Sequence, residues 1–118
     1  MGCCPSIGQG LTNFVLSTNT NYESTRQSAV GQVKGTGATL GVVLPSMTGS
    51  ATLTVSFWQS FDGGLSFITT GTPIQLAAQG VATGGFTGLT AGLYMIKAVV
   101  TGTNVTVMGS VVVNFYSA

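Results

Sequence analysis

Apolar and polar residues alternate with a period of two along much of the chain, and no comparable window follows the 3.6-residue period of an amphipathic helix. In 51–59 (ATLTVSFWQ), Leu53, Val55 and Phe57 share one parity, while Thr52, Thr54, Ser56 and Trp58 take the other. Near the C-terminus Val105, Val107, Gly109, Val111, Val113 and Phe115 oppose Thr106, Met108, Ser110 and Asn114. In 93–100 (LYMIKAVV), Tyr94, Ile96, Ala98 and Val100 oppose Lys97, which puts the cation on the wet face. Alternation rich in β-branched residues is the mark of half-buried antiparallel strands. About eight are expected, at roughly 11–17, 28–34, 38–44, 51–60, 65–70, 81–87, 92–101 and 104–116.

Between them lie clusters suited to turns: PSMTGS from Pro45, DGG from Asp62, TGTP from Thr70, TGG from Thr83, TAG from Thr90 and TGTN from Thr101. Eighteen glycines are too many for strand interiors and about right for tight turns. The pattern predicts an all-β fold, a single antiparallel β-sandwich of jelly-roll or immunoglobulin-like type. At 118 residues the chain is one domain. Residues 1–10 read as an extended N-terminal arm. The polar stretch 18–37 (STNTNYESTRQSAVGQVKGT) reads as a long first connection within the domain.

Charge constrains the chain more than any motif does. Glu23, Arg26, Lys34, Asp62 and Lys97 are the only acidic or basic side chains, 4% of the chain, where soluble domains carry about 25%. Disorder does not account for this, because 44% of the residues are apolar. With a net charge of +1, the chain resembles one whose surface is covered by neighbours, so a homo-oligomer or a larger assembly is expected. Three scattered cations cannot displace the counterions of a nucleic acid or hold an anionic membrane surface. No apolar run reaches the length of a spanning helix, and alternating strands of this number and size fit a membrane barrel poorly. The opening MGCCPSIGQG lacks a basic segment followed by an apolar one, so no cleaved secretory signal is expected. It also fits the N-myristoylation pattern, but an arm with reduced thiols at Cys3 and Cys4 is the plainer reading.

Catalytic chemistry finds little to work with. Histidine is absent, and the two carboxylates, Glu23 and Asp62, sit on a polar loop and a hairpin tip with no sign of a supported cleft. Neither an enzyme nor a cofactor or metal site is expected. Among the aromatic residues that could form a sugar platform (Tyr22, Trp58, Tyr94, Tyr116), Tyr94 points inward by parity. Trp58 and Tyr116 fall opposite their strands' most apolar sets, which suits contact with a neighbouring subunit.

Two resemblances add to this. The octapeptide SFDGGLSF, Ser60 to Phe67, fits S-x-D-x-G-x-[TS]-[WF] and resembles the Asp-box of sialidases and related β-propellers. The resemblance implies a turn in which Asp62 accepts backbone hydrogen bonds above a packed aromatic, here Phe67, with Gly63 and Gly64 completing the turn. If Asp62-Gly63 form a two-residue type I′ turn, Trp58 should face Phe67 and Phe57 should face Ile68; a three-residue loop shifts each pair by one. More widely, 52–116 (TLTVSFWQSFDGG…GLYMIKAVVTG…VVVNFY) resembles the small Gly/Thr/Val-rich β-sandwich proteins of tailed-phage virions.

That resemblance implies a virion protein made in the host cytoplasm. A capsid decoration or cement protein is the leading expectation, partnered by the major capsid protein or other virion subunits. Head fibre, neck or tail parts that bind carbohydrate or a receptor are the alternatives, as are self-assembling filament or surface-layer subunits. The arm would cross a subunit boundary with Leu11, Phe14 and Leu16 as anchors, by strand pairing or apolar contact.

Overall fold

The computed structural model describes residues 6–18 and 23–116; Cys3, Cys4 and Tyr22 lie outside them. Nine strands follow one another as β1 (Ser6–Ser17), β2 (Glu23–Gln27), β3 (Gly31–Gln32), β4 (Gly37–Thr48), β5 (Thr52–Ser60), β6 (Ile68–Leu76), β7 (Gly80–Thr87), β8 (Leu93–Thr101) and β9 (Thr106–Tyr116). All pairings are antiparallel. One sheet has the order β1-β9-β4-β7, the other β2-β8-β5-β6, with the short β3 also on β8.

The partners nest along the chain. β5 pairs with β6, β4 with β7, β2 with β8 and β1 with β9. The chain is thus one long hairpin, whose tip is the β5–β6 turn, rolled so that successive pairs alternate between two sheets. This is the jelly-roll topology. Of the two sandwich types expected, the immunoglobulin-like one is excluded by this order.

The core lies between the sheets and follows the parity read from the sequence. Leu53, Val55 and Phe57 of β5 and Tyr94, Ile96, Ala98 and Val100 of β8 face Ala38, Leu40, Val42 and Leu44 of β4 and Val107, Val111, Val113 and Phe115 of β9, all buried. Four aromatics tie the layers together. Phe57 stacks on Phe86 at 5.4 Å and on Tyr94 at 5.3 Å, and Phe115 meets Tyr94 edge-on at 5.1 Å. The Tyr94 hydroxyl donates to the Gln9 carbonyl at 2.9 Å, which satisfies the one polar atom of the cluster. Burial pushes the Tyr94 phenol upward from its ordinary pKa, against a smaller lowering by the Gln9 contact.

Several boundaries differ from the sequence reading, each for a local reason. Residues 6–10 do not extend away as an arm; they are the first half of β1, paired to β9 from Ser6↔Phe115 onward. The polar stretch 18–37 holds β2, an edge strand whose Glu23, Thr25 and Gln27 need no apolar alternation because one flank is open to water. The strand expected over 28–34 shrinks to two residues of β3. TGTP from Thr70 is not a turn but the middle of β6, where Gly71 takes φ +72° and the pairing with β5 shifts between Val55 and Phe57. Pro73 is tolerated there because β6 is a sheet edge. Pro45 likewise sits at a break in register between Val43 and Ser46, inside β4.

Candidate assembly surfaces

Three regions carry side chains that the core does not use: the β5–β6 loop and the two outer sheet faces. In the loop, Ser60 ends β5 and its hydroxyl donates to Asp62 Oδ1 at 2.8 Å while accepting the Gly64 N–H at 2.9 Å. Asp62 Oδ1 also accepts the Ser66 N–H at 3.0 Å, and Oδ2 accepts the Ser66 hydroxyl at 2.6 Å. Hydrogen bonds from the Ser66 hydroxyl, the Ser66 N–H and the Ser60 hydroxyl favour the anion and lower the Asp62 pKa from 3.8 to about 2. Asp62 thus accepts a backbone hydrogen bond within 60–67, with Phe67 half-buried beside the turn.

The turn type expected for it is not the one adopted. Gly63 and Gly64 take φ +77° and +97°, while Asp62 keeps a negative φ and uses its side chain instead. The loop is longer than two or three residues, so Phe57 faces Thr70 and Trp58 faces Thr69, two places beyond the expected partners. An even slip preserves parity, so Phe57 and Trp58 keep their buried and outer faces. The loop presents Phe61, Leu65 and Ile68 to solvent, with Leu65 89% exposed. Open grooves flank Phe61, the larger about 410 Å³ and bordered by Gln32, Val33 and Leu93.

The outer face of the β2-β8-β5-β6 sheet carries Thr52, Thr54, Trp58, Met95, Lys97 and Val99, with Glu23 and Gln27 beside them. Trp58 is half-buried and already engaged. Its Nε1–H donates to Ser56 Oγ at 2.7 Å, and Lys97 Nζ lies 5.2 Å from the ring centroid. The two carboxylates stand at opposite ends of this sheet. Glu23 pairs with Thr101, which pairs with Thr52 at the start of β5, and Asp62 follows the end of β5 at Ser60. Eight strand residues, about 26 Å, separate those ends, too far for both carboxylates to act on one glycosidic bond.

Of the residues expected to make assembly contacts, Leu11, Phe14 and Leu16 are at most 6% exposed, packed in the chain's own core. They are not free to anchor a neighbour while β1 stays on β9. Tyr116 ends β9 and lies half-buried over Gly37, where any side chain would collide with its ring.

The β1-β9-β4-β7 sheet shows what the sequence reading missed. Its outer face exposes Ile7, Val15, Val43, Val81, Met108 and Val112 among Thr39, Thr83, Ser110 and Asn114. None of the five charged residues lies on any of its strands. The signal was present in Val42-Val43 and Val111-Val112-Val113: an unbroken apolar run in a strand reads as apolar on both faces.

A jelly-roll β-sandwich with one charge-free apolar face is the class of protein these observations define. No family model and no curated protein matches the chain in sequence. In three dimensions it is similar to two solved structures of infectious bursal disease virus, of the Gt and Gx strains. Both have a TM-score of 0.55 and 12% identity, and the matches cover 94% and 97% of this chain. They take in 32% and 34% of the viral chains, so this chain spans about a third of their length. At that identity the likeness is one of fold.

Proposed function

We propose that the chain is a structural protein of a virus particle, and within that class a decoration or cement protein bound to the outside of a capsid. The observation that carries the reading is the pairing of a jelly roll similar to chains of a virus structure with an outer sheet face that exposes six large apolar side chains and no charge. Exposed apolar area of that kind marks an interaction surface. The likeness of 52–116 to tailed-phage virion proteins supports the narrower assignment, with the major capsid protein or other virion subunits as partners. The role is mechanical: a rigid sandwich ties neighbouring subunits together, and contacts of low charge hold against salt. Catalysis is no part of it.

A sugar- or receptor-binding role draws less support. Lys97 covers the Trp58 ring, and the Ser60 hydroxyl beside Phe61 is committed to Asp62 and Gly64. The test is quantitative mass spectrometry of purified particles from the source of the sequence. The chain is expected there in fixed ratio to the major shell subunit. Its absence from particles would overturn the proposal.

A further inference from the structure

The charge-free sheet face contains two glycines that the chain itself does not require. Most strand glycines here have an internal reason. A Cβ at Gly109 would strike the Val43 carbonyl and Leu44, one at Gly84 would strike Ile74, and one at Gly37 would strike Tyr116. Gly41 in the central strand β4 and Gly85 in β7 differ. Both keep a φ open to other residues, and a Cβ on either would meet nothing within 4 Å. Gly41 pairs with Val112 on one side and Thr83 on the other; Gly85 pairs with Thr39, one step along the same face. They lie on one diagonal of the outer face with Thr39 and Thr83 on the other, a shallow trough with Val43 and Val112 next to Gly41. Glycine weakens a strand interior, and where no bulge or turn needs it, it marks the close approach of another backbone or ligand.

We propose that this face is a self-docking surface, on which a second copy of the chain packs sheet to sheet about a two-fold axis, seated at the Gly41–Gly85 trough. Charge is the argument for a second copy over an unlike partner. Unlike proteins find their register through complementary charges, and this face has none to offer. In a two-fold contact each residue meets the same patch of its twin, which penalises any charge near the axis and suits a face without one. Homodimer interfaces are also the more apolar class. The sandwich measures 47 × 29 × 21 Å, so its broad face comfortably exceeds the about 800 Å² per partner that a stable interface buries.

The full chain should sediment as a dimer that dissociates on dilution and is no weaker in high salt. Gly41→Ile fills the trough while adding β propensity, and Val112→Lys sets like charges across the axis. Each should weaken dimerisation on the order of 100-fold with circular dichroism and thermal unfolding retained, whereas Thr54→Lys on the opposite face should leave it unchanged. Met108, 46% exposed in the single chain, should react with peroxide more slowly in the concentrated wild-type protein than in the dilute one. A wild-type chain that is monomeric at every concentration overturns the inference. So does a dimer that Gly41→Ile and Val112→Lys leave intact, or a Met108 whose oxidation ignores concentration. A monomer found in fixed ratio in particles would overturn self-docking and leave the virion reading standing; a dimer never found in particles would do the reverse.

Discussion

The two sheets share one core but meet the outside on different terms. The β2-β8-β5-β6 sheet has an edge strand with Glu23 and Arg26, another edge with Pro73, and Lys97 over Trp58 on its outer face. Charge and proline on edges are how a sheet avoids pairing with strangers. The β1-β9-β4-β7 sheet has neither device: β1 and β7 are its edges, and neither holds a charge or a proline. One half of the sandwich is built to face water and the other is not. A nearly uncharged chain is thus not uniformly sticky. Its few charges are concentrated on one sheet and in the loops, and the remaining face is left free for a partner.

If the halves differ only outside, damage to the shared core should not distinguish them. Phe57→Ala removes the ring that touches Tyr94 within its own sheet and Phe86 and Phe115 across the layers. It should cost about 3–5 kcal/mol, read by urea unfolding, with both sheets lost in a single transition. Two separate transitions would mean that the sheets are independent units rather than two faces of one core.

A surface change should do the opposite, leaving stability and separating the faces. Lysine at Val43, on the charge-free face, should shift unfolding by no more than about 0.5 kcal/mol. Lysine at Thr54, on the charged face, should do the same. Only the first should alter sedimentation. Equal effects from both would show that the distribution of charge does not decide what the faces do.

How much of this was readable in advance depends on where a residue sits. Central strands were legible: β5, β8 and β9 each have a buried and an outer parity, and Leu53, Tyr94, Ile96 and Val113 fell where alternation put them. Edges were not. β2 alternates weakly because much of it faces solvent, and TGTP from Thr70 reads as a turn rather than the middle of β6 because edge strands accept the Gly, Pro and Thr that central strands reject, whereas β7 falls almost where a strand over 81–87 is expected. The arm failed differently. Phe14 and Leu16 share a parity, and Leu11 joins their buried face only across the irregularity between Leu11 and Phe14, but pattern alone does not say whether the partner strand belongs to the same chain. Here it is β9. The self-docking face was legible in principle, because Val42-Val43 and Val111-Val112-Val113 break the alternation.

The β5–β6 loop belongs to neither face, and acid should single it out. Its Asp62 pKa is depressed to about 2, so the unfolded or opened loop binds the proton more readily than the closed one. A depressed carboxylate pKa gives stabilisation that is complete above the ordinary value near 3.8 and lost as pH falls through the folded value. The Ser66 and Gly64 amides should therefore stay protected from hydrogen exchange at pH 5 and lose protection between about pH 4 and 2. Asp62→Asn should remove this pH dependence and leave sedimentation alone. Loss of protection already at pH 5 would mean that the network does not hold the loop.

A small effect is expected at Trp58. Lys97 lies 5.2 Å from the ring centroid on a half-buried face, a contact worth about 0.5–1 kcal/mol in such settings. Lys97→Met keeps most of the side chain's apolar length and discards the cation, so stability should fall by no more than that. The Trp58 fluorescence should change in the same variant, because a charge is removed from beside the ring. The substitution also tests the division of labour between the sheets, since it makes the outer face of the charged sheet more like its counterpart. If Lys97 serves there to keep that face from docking, Lys97→Met should add a second, weaker self-association to the one across the Gly41 trough, and sedimentation would show species beyond the dimer. If no such species forms, then Thr52, Thr54 and Gln27 suffice to keep the face wet, and the cation's contribution is confined to the indole beneath it.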